Sequence, residues 1–328
     1  MKTIRLAIVG RRFGARVHAP AFGTDPRCEV VSVAGRDDWR NLVTSPRVDA
    51  VAIAVPPAVQ PAIVFEAAKR GKHVFCEKPA ADSVAAARDM ADAAACAEIV
   101  HGIDFLFPVL PSWQRARTLF RAGAIGRLRH FAYTWHVETS ASRLRVDTWK
   151  RRTGEGGGAH GNFLSHVFHN IEWLVGPLTR VEAFSAPEGG RAPDGVDGTV
   201  YAGDVGGWVS VRTDAFLGCG HCVELFGDLG TLVLANRGAD YVAGFHLYVG
   251  TRESGVLKAI DCEALPDSAD GRVAAVALLA RRFIDAVTAG TSMTPNLRHG
   301  LRVQELLSLA AGARVAAQPV PAGIEEFA

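Results

Sequence analysis

The feature that most constrains the fold is a regular alternation in the N-terminal part of the chain. Ile4 to Val9 is an apolar run, interrupted only by Arg5, that stops at Gly10, the pattern of a strand buried on both faces. Gly14 to Phe22 reads as a helix ended near Asp25-Pro26, and Val30 to Ala34 as a second strand. Asp49 to Val55, Lys72 to Phe75 and Ile99 to Phe105 repeat the strand pattern, separated by helices over Ala58 to Lys69 and Asp82 to Cys96. Strands alternating with helices predict a doubly wound parallel sheet.

The periodicity changes after about Leu119. Gly126 to Val137, Gly207 to Thr213, Gly220 to Phe226, Thr231 to Ala235 and Phe245 to Val249 alternate as half-buried strands do, which predicts a large antiparallel sheet. Helices are expected over Phe163 to Leu174, Val273 to Thr288 and Leu301 to Ala316. Pro187 to Asp204, rich in Gly, Pro and Asp, reads as an exposed loop. With 328 residues the chain exceeds one average core. The expected division is a dinucleotide-binding domain over 1–120 and a second domain over 121–328, whose substrate-binding and oligomerisation roles are what a family resemblance implies.

A net charge of +2 on 36 basic and 34 acidic side chains argues against a nucleic-acid partner. No apolar run reaches membrane-spanning length, and the N-terminal run is too short for a signal peptide, so a cytoplasmic location is the expectation. Cys219-Gly220-His221-Cys222 has the spacing of a redox dithiol. That chemistry needs a helix starting at the first cysteine, and the residues that follow read as strand.

Three stretches carry chemistry. Gly10-Arg11-Arg12-Phe13-Gly14-Ala15 follows the first strand and opens a helix, the place where backbone N–H groups hold a dinucleotide pyrophosphate. The Gly-x-Gly-x-x-Gly pattern is incomplete, with Arg12 and Ala15 at its second and third places, and the arginines could reach phosphate with their side chains. The second strand ends in Ala34-Gly35-Arg36, where a cofactor without a 2′-phosphate would call for a carboxylate. This favours NADP(H) over NAD(H), with Asp37 and Asp38 close enough to oppose it. Glu77-Lys78-Pro79 places a lysine at the end of a buried strand, where it needs a charged or reacting partner. Gly156-Gly157-Gly158-Ala159-His160-Gly161-Asn162 leads to His166.

On these motifs, and on Glu224-Leu225-Phe226-Gly227-Asp228-Leu229-Gly230-Thr231-Leu232, the chain resembles the glucose–fructose oxidoreductase / inositol dehydrogenase (Gfo/Idh/MocA) family over its whole length. The resemblance implies a Rossmann domain followed by an α/β domain whose large open, mostly antiparallel sheet builds homodimers or homotetramers. It implies hydride transfer between NAD(P) and a hydroxyl carbon of a sugar, amino sugar or cyclitol. Lys78 and His166 become the acid/base candidates, imidazole titrating near neutrality. Gly10, Arg11, Arg12, Phe13, Gly14, Arg36, Pro56, Glu77 and Lys78 become the expected cofactor contacts. Asn162, Lys150, Trp135 and His160 become the expected substrate contacts. For Trp135 the competing reading is sheet core, and for the basic run Lys150-Arg151-Arg152 a solvated face. No metal is expected: His166, His169 and Glu172 fan around a helix rather than converging.

The chain departs from the family in three places. Asn162 stands where many relatives carry aspartate, and Gln60 where a histidine is frequent. Between Arg36 and Val48 only a short helix, Trp39 to Val43, fits, which curtails the adenine side and makes Trp39 a candidate stacking surface. These departures motivate an alternative, a non-redox isomerase, lyase or cyclase with a degenerate cofactor site. A catalytically silent subunit is a third possibility, opposed by the joint presence of Lys78 and His166.

Overall fold

The computed structural model describes residues 3–144, 149–152, 155–182, 184, 192–238, 240–266, 270–312 and 318–319. The chain forms two compact units, Met1–Leu106 with Asp267–Glu305, and Phe107–Pro266 with Leu306–Ala328.

The first unit begins with β1 (Ile4–Val9), a π-helical turn (Gly14–His18) that runs into α1 (Ala19–Phe22), and β2 (Cys28–Ala34). It continues with α2 (Arg40–Thr44), β3 (Ala50–Ile53), α3 (Gln60–Lys69), β4 (His73–Cys76), α4 (Val84–Cys96) and β5 (His101–Ile103). All five strands are parallel, in the order β2-β1-β3-β4-β5. The apolar runs are buried on both faces, with Leu6, Ala7, Ile8 and Val9 wholly inaccessible. The segment after Arg36 holds only α2, as its length predicts, so β2 is an edge strand. Val31 and Val33 remain exposed on its uncovered face.

The second unit contains α5 (Pro111–Arg121), β6 (Leu128–His136), α6 (Ser140–Arg143) and α7 (Leu164–Leu174). Eight further strands follow: β7 (Leu178–Glu182), β8 (Gly195–Ala202), β9 (Val205–Arg212), β10 (Gly220–Gly227), β11 (Gly230–Asn236), β12 (His246–Thr251), β13 (Lys258–Ile260) and β14 (Gln318–Pro319). Among the described residues they form one nine-stranded sheet, β13-β12-β11-β10-β6-β9-β8-β7-β14. Every pairing is antiparallel except β6 with β9. The remaining helices are α8 (Gly271–Ala289) and α9 (Leu297–Gly312).

Three expectations need correction. The segment 187–204 is not all loop: Gly195–Ala202 is β8, which pairs along its length with β9 and buries Val196 and Val200 on alternate positions, while residues 187–191 lie outside the described set. Its glycines and aspartates mask a period-2 pattern carried by valines. Where the sequence suggested a division at 120/121, the compact units part at Leu106/Phe107, and α8 lies with the first. Phe283 on α8 sits edge-on to Phe22 and Phe75 at 5.9 and 5.8 Å, and Arg27 bridges Asp25 and Asp285. Trp39 is buried to 4% with the Arg40 guanidinium 4.7 Å over its ring, so it is a packing residue and not a free stacking surface. Among the described residues no helix is long and apolar enough to cross a membrane.

Candidate active site

The turn after β1 is forced by sterics. Gly10 has φ +142°, and a Cβ there would lie 2.3 Å from the carbonyl oxygen of Ala54. Gly14 lets the following helix approach the sheet: its Cβ would lie 2.9 Å from Ile8 and 3.3 Å from Ala54. Gly14 thus does the helix-packing work that the pattern assigns one place later, to Ala15. Arg11 and Arg12 are exposed and Phe13 half-buried. The first N–H groups of a helix have no intrahelical partner, which suits an anion. Pro56 lies half-buried just past β3. At the end of β2, the Asp38 carboxylate accepts from Gly35 N–H and pairs with the Arg11 guanidinium. Arg36 is largely exposed, 3.6 Å from Asp37. A carboxylate therefore does stand at this strand end, contributed from four residues beyond it.

The Glu-Lys-Pro corner sits at the carboxyl edge of the same sheet. Glu77 N–H donates to Ile53 O at 2.8 Å, extending the β3–β4 pairing, and Asp104 N–H donates to Cys76 O at 2.8 Å. Ligands of open α/β sheets bind outside these strand ends. Gln60, wholly buried at the start of α3, points its amide nitrogen at three carbonyls of the corner: Glu77 at 2.9 Å, Pro79 at 2.8 Å and Ala80 at 3.1 Å. Lys78 is half-buried and its peptide to Pro79 is cis. Beneath the corner, His18 meets Glu77 and Asp104. Burial works against the His18 charge, yet the two carboxyls overcome it and raise its pKa to about 9. Burial raises the Asp104 carboxyl to about 7, helped by the neighbouring Glu77 charge, while His18 holds Glu77 below the ordinary carboxylate range against its own burial. Among the described residues this is the one trio whose side chains could hold a metal ion, and His18 Nε2 lies 3.3 Å from both carboxyls.

In the second unit, the glycine-rich stretch is explained by close approach. A Cβ on Gly157 would lie 2.3 Å from the Trp149 carbonyl, and one on Gly161 2.0 Å from that of Gly156. Ala159 to Phe163 form a π-helical turn that runs into α7. Asn162 on this turn is half-buried. His166 is 5% exposed, its ring 5.0 Å edge-on to Phe107 and 5.9 Å from Trp135. His160 is pushed down to about 4 by burial, partly offset by its bond to the Leu307 backbone. Lys150 is exposed on a short 3₁₀ turn (Trp149–Arg151), 5.8 Å over the Trp149 ring, and its neighbours Asp147 and Thr148 lie outside the described residues. His169 and Glu172 are both buried, and Glu172 accepts from Leu178 N–H at 3.0 Å.

Trp135, expected as a substrate contact, is placed where its competing reading put it, in the sheet core beside His166. It is buried to 2% and stacks on His221 at 4.2 Å with its ring edge-on to Phe163 and Phe107, a core position on the inner face of β6. Three residues of the first unit carry more of the local structure than the sequence suggested: His18, Gln60 and Asp104. Asp104 had a legible signal, a carboxylate inside the apolar stretch Ile103-Asp104-Phe105-Leu106.

The chain thus joins a parallel Rossmann sheet, with a glycine turn after its first strand, to a unit built on a large mixed sheet. Residues 27–105 match the family model described as oxidoreductase family, NAD-binding Rossmann fold, and residues 113–233 match the GFO/IDH/MocA C-terminal domain. The chain belongs to the Gfo/Idh/MocA oxidoreductase family. An uncharacterized oxidoreductase of Synechocystis sp. is 29% identical over 93% of this chain and 92% of its own length. The levoglucosan dehydrogenase of Pseudarthrobacter phenanthrenivorans is 28% identical over 62% of this chain and 60% of its own. The solved structure of a levoglucosan dehydrogenase in complex with NADH and levoglucosan shares the fold with a TM-score of 0.84, at 21% identity, covering 98% of this chain and all 100% of that one.

Proposed function

We propose that the protein is an NAD(P)-dependent dehydrogenase or reductase acting on a hydroxyl or carbonyl carbon of a sugar, amino sugar or cyclitol, with Lys78 and His166 as its acid/base groups. The observation that carries this reading is the Lys78 corner, fixed by Gln60 at the carboxyl edge of a sheet whose first turn fits a dinucleotide. When bound, the nicotinamide supplies the acceptor or donor of a hydride. Lys78 holds the proton that leaves or joins the substrate oxygen as alcohol and carbonyl interconvert. His166 serves as the second proton-transfer group, and Asn162, Lys150 and His160 are candidates to orient substrate hydroxyls. Gly10 to Gly14 and Glu77 line the cofactor.

For the cofactor, Arg36 and Arg12 favour a 2′-phosphate while Asp38 neutralises Arg11 and repels one. We read the site as taking NAD(H) as well as NADP(H), with Asp38 setting the balance. The related NADH-bound dehydrogenase supports the first of these. We further propose a cytoplasmic homodimer or homotetramer assembled through the outer face of the large sheet. There Trp208 is 49% exposed and His130 stacks on Phe226 at 4.5 Å.

The test is titration of nucleotide-stripped protein with NADH and NADPH by nicotinamide fluorescence, followed by a sugar and cyclitol panel with wild type and Lys78→Met. The expected result is micromolar cofactor binding and sugar-dependent turnover that falls about 10²–10⁴-fold in Lys78→Met. Binding of neither cofactor by folded protein refutes the redox reading. Arg12 in place of the second glycine favours the second reading, a non-redox enzyme, which requires substrate conversion with no nicotinamide present.

A further inference from the structure

Three ionisable side chains meet beneath the Glu-Lys-Pro corner. His18 Nε2 lies 3.3 Å from Glu77 Oε1 and 3.3 Å from Asp104 Oδ2. The side chains of His18 and Asp104 are 0% and 1% exposed, that of Glu77 14%. The rest of the imidazole's surroundings are aromatic: Phe13, Phe22 and Phe75 have centroids 5.3, 6.4 and 5.4 Å away. The other titratable or charged groups of this neighbourhood are Cys76 and Lys78, which flank Glu77, and Arg272, whose guanidinium lies 5.3 Å over the far ring of Phe13. Burial keeps the Cys76 thiol protonated.

Charge balance, together with the greater basicity of imidazole over a carboxylate, selects one protonation pattern. Two carboxylates beside a neutral imidazole would leave two uncompensated charges in a dry pocket, and two carboxylates beside an imidazolium would leave one. An imidazolium, one carboxylate and one carboxylic acid leave none. The proton belongs on Asp104, the more deeply buried carboxyl, which can then donate to Glu77.

We propose that His18 is a positioning residue for Lys78: as a buried imidazolium it holds Glu77 as the carboxylate and Asp104 as the acid, fixing one side of the corner whose other side Gln60 grips. This rests on the reading of Lys78 as the acid/base group. Glu77 is anchored through its backbone to β3 and through its side chain to the π-helical turn that carries His18. Lys78, one residue on, therefore leaves the sheet from a fixed origin. Asp104 in this scheme behaves as an uncharged donor, a role that asparagine can fill, whereas Glu77 must be charged.

The test uses the full chain with ¹³C-labelled histidine. His18, assigned by its loss in His18→Gln, is titrated by NMR in wild type, Glu77→Gln and Asp104→Asn. Cofactor binding, kcat and sugar KM are measured in parallel. The expected result is that the His18 charge persists past pH 8 in wild type and in Asp104→Asn, but that its midpoint falls by at least one pH unit in Glu77→Gln. Turnover is expected to fall at least 30-fold in Glu77→Gln with sugar KM within threefold, and the loss in Asp104→Asn to be at least tenfold smaller. An unshifted His18 midpoint in Glu77→Gln, or equal loss of kcat in the two carboxyl variants, overturns the proposal, because a merely structural network would move both alike. Should His18→Gln not fold, the ratio of kcat losses in the two carboxyl variants still decides. A wild type that binds no nicotinamide and turns over no sugar refutes the proposed function, and the positioning role with it. The His18 titration separately reports whether the network is charged as described.

Discussion

Replacing Gln60 with leucine tests the grip on the Lys78 corner from the side opposite His18. The Gln60 amide has two protons and faces three carbonyls, those of Glu77, Pro79 and Ala80 at 2.9, 2.8 and 3.1 Å. Leucine keeps the volume and offers no donor. Pro79 and Ala80 are buried, and an unmade bond at a buried carbonyl costs about 1–3 kcal/mol, so two of them set a loss of about 2–6 kcal/mol. In the other direction, Gln60 Oε1 is itself buried with no hydrogen-bond partner, and removing it returns about 1–3 kcal/mol. With both figures scaling with the same cost per unmade bond, the net expectation is destabilisation of about 1–3 kcal/mol. Urea unfolding should show a lower midpoint at unchanged m, and the melting temperature should fall by roughly 2–4 °C for each kcal/mol. Because a misplacement of about 1 Å at a reacting group costs about 10²-fold, kcat should fall by that order while NADH affinity stays within about threefold. A Gln60→Leu protein within about 0.5 kcal/mol of wild type and with full kcat would refute the clamp.

Two further outcomes follow from charge. His18, raised from an ordinary 6.5 to about 9, contributes stability that is whole below pH 6.5 and lost as pH rises through about 9. His101, His160 and His299 are pushed down to about 4 by burial, so their contribution is present above pH 6.5 and lost as pH falls toward 4. Asp104, raised from 3.8 to about 7, opposes these three with a single proton across the acid range. Each unmatched proton tilts stability by about 1.4 kcal/mol per pH unit. Urea midpoints should therefore peak near neutrality, and His18→Gln should flatten the alkaline limb while reshaping the acid limb only through Asp104 and Glu77, which lose their partner. A parallel shift of both limbs would contradict the assignment. Separately, Asp38→Asn keeps an acceptor for Gly35 N–H and frees the Arg11 charge, so the NADPH-to-NADH affinity ratio should rise about tenfold, equivalent to about 1.4 kcal/mol. An unchanged ratio in fluorescence titrations would remove Asp38 from cofactor choice.

The Rossmann unit was legible because its signals are local. Ile4 to Val9 is apolar at every place but Arg5, which turns its guanidinium to Asp49 at the surface, and Gly10 marks a position where a side chain would strike the Ala54 backbone. The short α2 followed from chain length alone. The second unit was less legible where polar residues interrupt the alternation: β8 contains two glycines and an aspartate, and only its valines keep the inward period. The placement of α8 was not readable at all, since its Phe283 meets Phe22 and Phe75 from more than two hundred residues away.

The candidate site divides along the same line. Lys78 and His166 stand out because each ends or follows a motif whose backbone geometry is written in adjacent residues: a strand and a proline in one case, a triple glycine and a helix in the other. His18, Gln60 and Asp104 lie in three separate segments and acquire meaning only where β3, β4 and β5 end together. Gln60 looked like the loss of a titratable histidine. In place it is an amide whose use is geometric, because carbonyls of a chain corner need donors and not a base. Trp135 shows the converse error. Its proximity in sequence to the glycine-rich loop suggested a substrate contact, yet the strand period places it inward with Phe131 and Tyr133, where it stacks on His221. Period, read strictly, would have assigned Trp135 to the core, and buried charge, read strictly, would have marked Asp104. What neither rule supplies is the partner. The protonation of Asp104 follows from the distance of His18 and Glu77, a fact of the assembled sheet edge.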